Sequence, residues 1–232
     1  MTIYISIDDT DMPDSPGTGR LARQIIEQLG KKYNIHAITR HQLYVHPDIP
    51  YTSHNSAAAI SIHDVPEDAR ENLFDEVTFI VKKDAAKGSD PGVCLAHVSQ
   101  INPAVVLFGK DAKSMVLTQE QALSIAEYSN IRLVGLDGTK GGIIGALAAV
   151  GLAASGSDGR YIHVGTIRNL YGEAEISDIK AAGIPDIISV DGKPVQSGKI
   201  LFRKFPQPVR IQGSPVLLVR EDEGSWIVER RD

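Results

Sequence analysis

A chain of 232 residues, 42% hydrophobic and 23% charged with a formal net charge of −5, has room for one large domain or two small ones, and for a core that needs no disulfides. Its single cysteine, Cys94, excludes an internal disulfide and any cysteine-rich zinc site, and fits a reducing compartment. No apolar run reaches membrane-spanning length, the first residues lead into a strand pattern instead of a signal peptide, and the acidic balance gives no global attraction for nucleic acid, so a cytoplasmic protein with no membrane partner is expected.

Ile3, Ile5 and Ile7 alternate with Tyr4 and Ser6, the period of a strand. That strand delivers Asp8, Asp9, Asp11 and Asp14 to one loop. Two carboxylates about 4 Å apart repel by about 4 kcal/mol at an effective dielectric near 20, so such a cluster raises the pKa of its members or binds a divalent cation. Gly17-Thr18-Gly19 follows and opens a helix in which Leu21, Ala22, Ile25, Ile26 and Leu29 recur at helical spacing up to Gly30. Glycine there lets backbone amides approach an anionic group at a helix N-terminus. Read together, the stretch suggests a metal-nucleotide site with Asp8, Asp9 and Asp11 as metal ligands or general base. The plainer alternative is an exposed loop in which Asp14 and Ser15 cap the helix.

Residues 35 to 46 read as extended, and Pro47 and Pro50 keep 46–51 irregular. Ser53-His54-Asn55-Ser56 then leads into the strand AAAISI, with His54 and Asn55 at its mouth. The pair is either a satisfied turn or, if it faces the aspartates, part of the ligand site. Asp64 as cap and Pro66 in the first turn start a helix over 64–83, whose end, VTFIV, also fits a strand. Residues 87–92 (KGSDPG) read as a plain connector, with a substrate loop as the alternative, before a short apolar stretch, PAVVLFG at 103–109 as a strand, and Thr118 with Gln121 as a capping box for a helix. IRLVGLD at 131–137 reads as a buried strand.

That strand opens a second glycine-rich stretch, Asp137-Gly138-Thr139-Lys140-Gly141-Gly142, before the small-residue helix from Ile143. Amides exposed between strand and helix suit phosphate, and Lys140 adds a point charge. The stretch is not a Walker A loop, because Gly141 and not Ser or Thr follows the lysine, and it lacks the Rossmann G-x-G. Close packing is the competing explanation. Gly138, Gly141 and Gly142 read as ligand-facing, and the small residues from Gly145 onward as packing. From about 160 the chain is strand-rich, with a short helix at 174–183, turns at Asp191-Gly192, Gly213 and Gly224, and a local basic patch of Arg203, Lys204 and Arg210.

I-D-D-T-D with G-T-G-R-L-A-R, then S-H-N, then G-T-K-G-G-I-I-G-A-L-A-A-V-G resemble the kinase-like and ferredoxin-like portion of the archaeal agmatidine synthases, which modify the anticodon cytidine of an isoleucine tRNA. The resemblance covers residues 1 to 170. It implies ATP- and magnesium-dependent phosphoryl-transfer chemistry, with Asp8, Asp9 and Asp11 matching the metal and ATP motif and 137–142 matching the nucleotide loop. Members of that family continue into an oligonucleotide-binding fold and a zinc ribbon that grip tRNA, whereas this chain ends at Asp232 with one cysteine.

The expectation is therefore an α+β (mixed α/β) protein of strand-loop-helix units around mixed sheets. A nucleotide-binding region occupies 1–170, and a β-rich completion or small appended domain 171–232. The expected function is a Mg-ATP-dependent phosphotransferase or synthetase, a stand-alone homologue with a small-molecule acceptor favoured over tRNA. Asp8, Asp9 and Asp11 form its catalytic and metal set, and Gly17, Thr18, Gly19, His54, Asn55, Asp137, Gly138, Thr139, Lys140, Gly141 and Gly142 hold ATP. Two alternatives stand beside it: a nucleotide or anion sensor without turnover, and a haloacid-dehalogenase-like phosphatase using Asp9 and Asp11.

Overall fold

A computed structural model describes residues 2–52 and 54–229. The fold is mixed α/β, as the sequence indicates, and the chain divides into two compact units, Met1–Ser155 and Gly156–Asp232.

The first unit runs β1 (Thr2–Asp8), α1 (Thr18–Leu29), β2 (Asn34–Gln42), β3 (Ser56–His63), α2 (Arg70–Asp84), β4 (Gly92–His97), α3 (Pro103–Asp111), α4 (Gln119–Tyr128), β5 (Arg132–Gly135) and α5 (Ile143–Ser155). Its strands lie in the order β5-β4-β1-β3-β2, each antiparallel to its neighbour. The register decides where the loops emerge. Asp8 pairs with Gly92 and Gly92 with Gly135, Ile7 pairs with Ala58, and Gln42 with Ser56. The ends of β1, β2 and β5 and the starts of β3 and β4 therefore share one edge.

Period-2 alternation gives the sheet two different faces. Tyr4, Ala57, Ala59, Cys94 and Ala96 join α5 in one buried cluster. Small residues on both partners let α5 come close enough for Ser6 Oγ to donate to the Ala146 carbonyl at 2.5 Å, 140 residues away in the chain. α3 and α4 cover the outer side of α5. The close fit rests on glycine: a Cβ on Gly151 would meet the Val105 carbonyl, and one on Gly109 would stand 2.7 Å from Ala148 O. Ile3, Ile5, Ile7, Ile60 and Ile62 are fully buried on the other face, where α1 and α2 pack.

Several sequence readings are corrected. PAVVLFG is a helix, not a strand: the Asn102 side chain accepts from Ala104 N and Val105 N, Pro103 sits in the first turn, and Val105, Phe108 and Gly109 form the buried side. An all-apolar run carries no period, so the caps decided it. β5 is a short, half-buried edge strand, not a buried one. Asp64 does not cap a helix. It lies at φ 58°, and a 3-10 turn at Glu67–Ala69 precedes α2, which keeps VTFIV helical. The capping box at Thr118 and Gln121 is present as read.

The second unit contains β6 (Arg160–Val164), β7 (Gly172–Glu175), α6 (Ile176–Ala181), β8 (Asp186–Ser189), β9 (Lys199–Phe202), β10 (Val209–Ile211), β11 (Ser214–Asp222) and β12 (Ser225–Val228). The order is β6-β10-β11-β12-β9-β7, with β8 parallel to β11. Gln212-Gly213 and Glu223-Gly224 turn its hairpins with both residues at positive φ, the twist that suits two-residue turns. β7 is absent from the sequence reading. Arg210 leaves the expected basic patch: it is buried and donates to Tyr161 Oη at 2.7 Å, which donates to the Gly213 carbonyl at 2.7 Å.

Candidate functional site

At the shared edge of the first unit, β1 ends on Asp8 and the chain turns sharply through Asp9, whose φ of 51° lies in the left-handed region that Asp enters more readily than most residues. Thr10 is buried and anchors the turn: its carbonyl accepts from Ala86 N at 3.0 Å, and its hydroxyl donates to Thr18 Oγ1 at 3.1 Å. Asp11 is then held from two sides. Thr18 Oγ1 donates to Oδ1 at 2.8 Å and Thr52 Oγ1 to Oδ2 at 2.9 Å.

Asp8, Asp9, Asp11, Thr18, His54, Asn55, Gly141 and Gly142 come together as part of the lining of one pocket, joined by Gly145. The second glycine stretch reaches the aspartates through the register. Gly142 N donates to the Asp90 carbonyl at 3.0 Å, a Cβ on Gly142 would stand 2.9 Å from Asp8 O, and one on Gly145 would collide with the Asp8 carboxylate.

Other residues singled out from the sequence stand elsewhere. Gly17 and Gly19 do not line the pocket. Gly17 caps α1 without a side-chain bond, and Asp11 itself lies at that helix start. Ser15 closes a turn back to Met12 and Asp14 is exposed, so neither caps α1. Asp137, Gly138, Thr139 and Lys140 also stand outside the lining. They form a latch: Thr139 N donates to Asp90 Oδ1 at 2.9 Å, Thr139 Oγ1 donates to Asp90 Oδ2, and Asp137 Oδ1 accepts from Gly138 N at 3.0 Å. Lys140 is exposed at φ 65°. Asn55 spends its amide on a structural bond, Nδ2 donating to the Tyr44 carbonyl at 2.6 Å. Ser53 lies outside the described residues.

Asp90 is the residue that sequence reading passes over. The loop KGSDPG reads as a connector, yet Asp90 fastens 137–142 to the edge and its charge reaches Asp9. Burial, Asp90 and then Asp11 push the Asp9 carboxyl up to about 6. Burial, followed by repulsion from Asp9, pushes Asp8 up to about 8. Both shifts reflect negative charge collected in a place poor in water, which favours either a held proton or a cation. Among the described residues no three acidic, imidazole or thiol side chains form a complete metal-binding group. A hard cation that keeps only one or two carboxylates and completes its shell with phosphate oxygens and water is compatible with that.

Comparison with known proteins places this geometry in context. No family model matches the chain. An uncharacterized protein of Methanocaldococcus jannaschii is 32% identical over 156 residues, 65% of this chain and 50% of that protein. TiaS of Pyrococcus horikoshii, the 2-agmatinylcytidine synthetase for an isoleucine tRNA, is 27% identical over 157 residues, 65% of this chain and 36% of the synthetase. Among solved structures, the complex of TiaS with that isoleucine tRNA and ATP superposes with a TM-score of 0.56 at 25% identity, over 65% of this chain and 36% of that one. This chain is thus homologous to TiaS over 65% of its length, and it spans half or less of the relatives it matches. The preference for a small-molecule acceptor over tRNA finds no support among them: TiaS is a tRNA-modifying synthetase, and a solved TiaS complex holds tRNA. The sensor and phosphatase alternatives gain nothing either.

Proposed function

From this homology, we propose that the protein is an ATP-dependent synthetase or phosphotransferase that modifies RNA, and that the pocket at the sheet edge of the first unit is its nucleotide site. The observation that carries the reading is the convergence, in one pocket, of the β1 carboxylates with the glycine backbone that leads into α5. Carboxylates suit a magnesium ion, and bare backbone suits phosphate oxygens.

Magnesium fits the donor set, which is all oxygen and carries uncompensated negative charge. Asp8 and Asp9 would hold it, whereas Asp11, with each oxygen already accepting a hydroxyl, orders the loop around them. When bound, the ion neutralises charge on the polyphosphate. The chain's own groups do the rest. Gly141, Gly142 and Gly145 bring bare backbone to the pocket lining beside Asp8, and Asp90 and Thr139 keep that backbone in place. Positioning and charge neutralisation are what phosphoryl and nucleotidyl transfer chiefly require.

The test is incubation with Mg-ATP in the presence and absence of tRNA, resolving ADP, AMP and pyrophosphate. RNA-dependent consumption of ATP is expected, and the products name the bond that is cut. Equal consumption with and without RNA would return the acceptor to small molecules, and no binding at millimolar Mg-ATP would remove the nucleotide reading altogether.

A further inference from the structure

The pocket has a second, chemically different part. Besides carboxylates and glycine backbone it is lined by Ile49, Pro50, Tyr51, Met115, Val116 and Leu117. Three of these are large apolar side chains left open to solvent, Tyr51 at 45%, Met115 at 52% and Val116 at 44% exposure. Exposed apolar groups scattered singly need no explanation, but a group gathered around one pocket marks a binding surface.

These residues come from two segments outside any helix or strand, 46–52 and 112–118, and both are held in place. Tyr44 N donates to the Ala112 carbonyl at 2.9 Å, Lys113 Nζ donates to the Gln42 carbonyl at 3.2 Å, the Tyr44 and His46 rings stack with centroids 5.3 Å apart, and Thr52 fastens the far end of the first segment to Asp11. Pro50 stiffens the backbone beside Tyr51. The apolar wall is thereby tied to the same Asp11 that orders the carboxylate loop.

A polyphosphate has no use for such a wall. A nucleotide does, because it joins an anionic end to a flat ring with an apolar face, and rings of that kind stack on aromatic and apolar side chains whatever their edge pattern. Resting on the nucleotide reading above, we propose that the wall formed by 49–51 and 115–117 receives a nucleobase, stacked against Tyr51 and Met115, while the phosphates lie toward Asp8, Asp9 and Gly142. The base belongs either to the bound nucleotide or to the RNA acceptor, and the two sources separate experimentally.

Binding of Mg-ATP, of magnesium tripolyphosphate and of a short single-stranded oligoribonucleotide is measured by calorimetry for the wild type and for Tyr51→Ala, Met115→Ala and Tyr51→Phe. For a wall that holds the nucleotide's base, both alanine variants weaken Mg-ATP about tenfold or more, leave tripolyphosphate unchanged, and Tyr51→Phe restores ATP binding. For a wall that holds the acceptor's base, the oligoribonucleotide shows the loss instead. Alanine variants that bind all three probes like the wild type overturn the proposal. Wild-type protein that binds tripolyphosphate but neither ATP nor the oligoribonucleotide overturns the wall and spares the phosphate site, and failure to bind any of the three overturns both.

Discussion

Two glycine segments flank the carboxylates, Gly17-Thr18-Gly19 and Gly141 to Gly145, and they use glycine for different ends. A Cβ on Gly17 would find only Asp11 Oδ2 at 3.9 Å, an ordinary contact. A Cβ on Gly142 would stand 2.5 Å from the Asp90 carbonyl oxygen and 2.9 Å from that of Asp8, and one on Gly145 would run into the Asp8 carboxylate. None of these three has a positive φ, so backbone freedom is not at stake. The second segment requires the absence of a side chain because α5 is drawn tightly onto the sheet. The first has room, and Asp11 stands at its helix start, accepting from the Thr18 hydroxyl. Two glycine-bearing segments beside the same carboxylates therefore conceal unequal tolerance.

The most severe way to probe this difference is Gly145→Val against Gly17→Ser. Overpacking beside Asp8 should cost about 1–3 kcal/mol and abolish the rise in melting temperature with Mg-ATP. Gly17→Ser, which offers α1 a better cap, should keep both stability and the Mg-ATP shift. Equal losses in differential scanning fluorimetry would erase the distinction.

Asp9→Asn should move two melting temperatures in opposite directions. The ligand-free protein gains, since a carboxylate crowded by Asp90 and Asp11 is removed. The Mg-ATP increment, worth about 2.7 kcal/mol at a hundred times the dissociation constant, shrinks because the site loses a ligand. A variant that leaves the increment intact would take Asp9 out of the site.

The same crowding sets a pH dependence. Asp8 and Asp9 carry folded-state values of about 8 and about 6 against an ordinary value of 3.8, so between those limits the folded protein binds more protons than the unfolded chain. Its stability without ligand should fall as pH rises from about 4 to about 8. Asp8→Asn should flatten the curve, and excess Mg-ATP should reduce the slope by favouring the ionised forms. A ligand-free melting temperature that climbs over this range would refute the buried-charge account.

The smallest effect is expected from Thr52→Val. Asp11 keeps Thr18 but loses its other hydroxyl donor, a change of about 1 kcal/mol, seen as faster hydrogen exchange confined to 46–52. Unchanged exchange there would free the apolar wall from the carboxylate loop.

How much of this is legible in the sequence depends on whether the signal is local. The carboxylate strand, the α1 period, the Thr118 capping box and the helix beginning at Ile143 follow from patterns within a few residues, and each appears where expected. Residues 103–109 read wrongly as a strand because apolar residues without a period suit strand and helix alike, and only Asn102 and Pro103 break the tie. Asp90 escapes notice because Gly-Ser-Asp-Pro-Gly is ordinary loop composition. Its importance comes from lying two residues before Gly92, the partner of Asp8 across the ladder. Tyr51 and Met115 carry no signal, since two loop residues in different segments become a wall only when the Tyr44 and Lys113 bonds bring their segments together.

The sequence by itself determined the fold class, the acidic loop and both glycine segments, because period, turn chemistry and charge crowding act between near neighbours in the chain. Tertiary structure alone decided which of those glycines touch the carboxylates, that Asp137 to Lys140 latch onto Asp90 instead of lining the pocket, and that an apolar wall faces the same cavity. Those outcomes depend on strand register, and in an antiparallel sheet a shift of one residue would turn Asp8 to the opposite face. The choice of register is made by the burial of Ile3, Ile5 and Ile7 on one side and by the fit of α5 against Ser6 and Cys94 on the other, a condition on the whole unit that no single stretch of the chain contains.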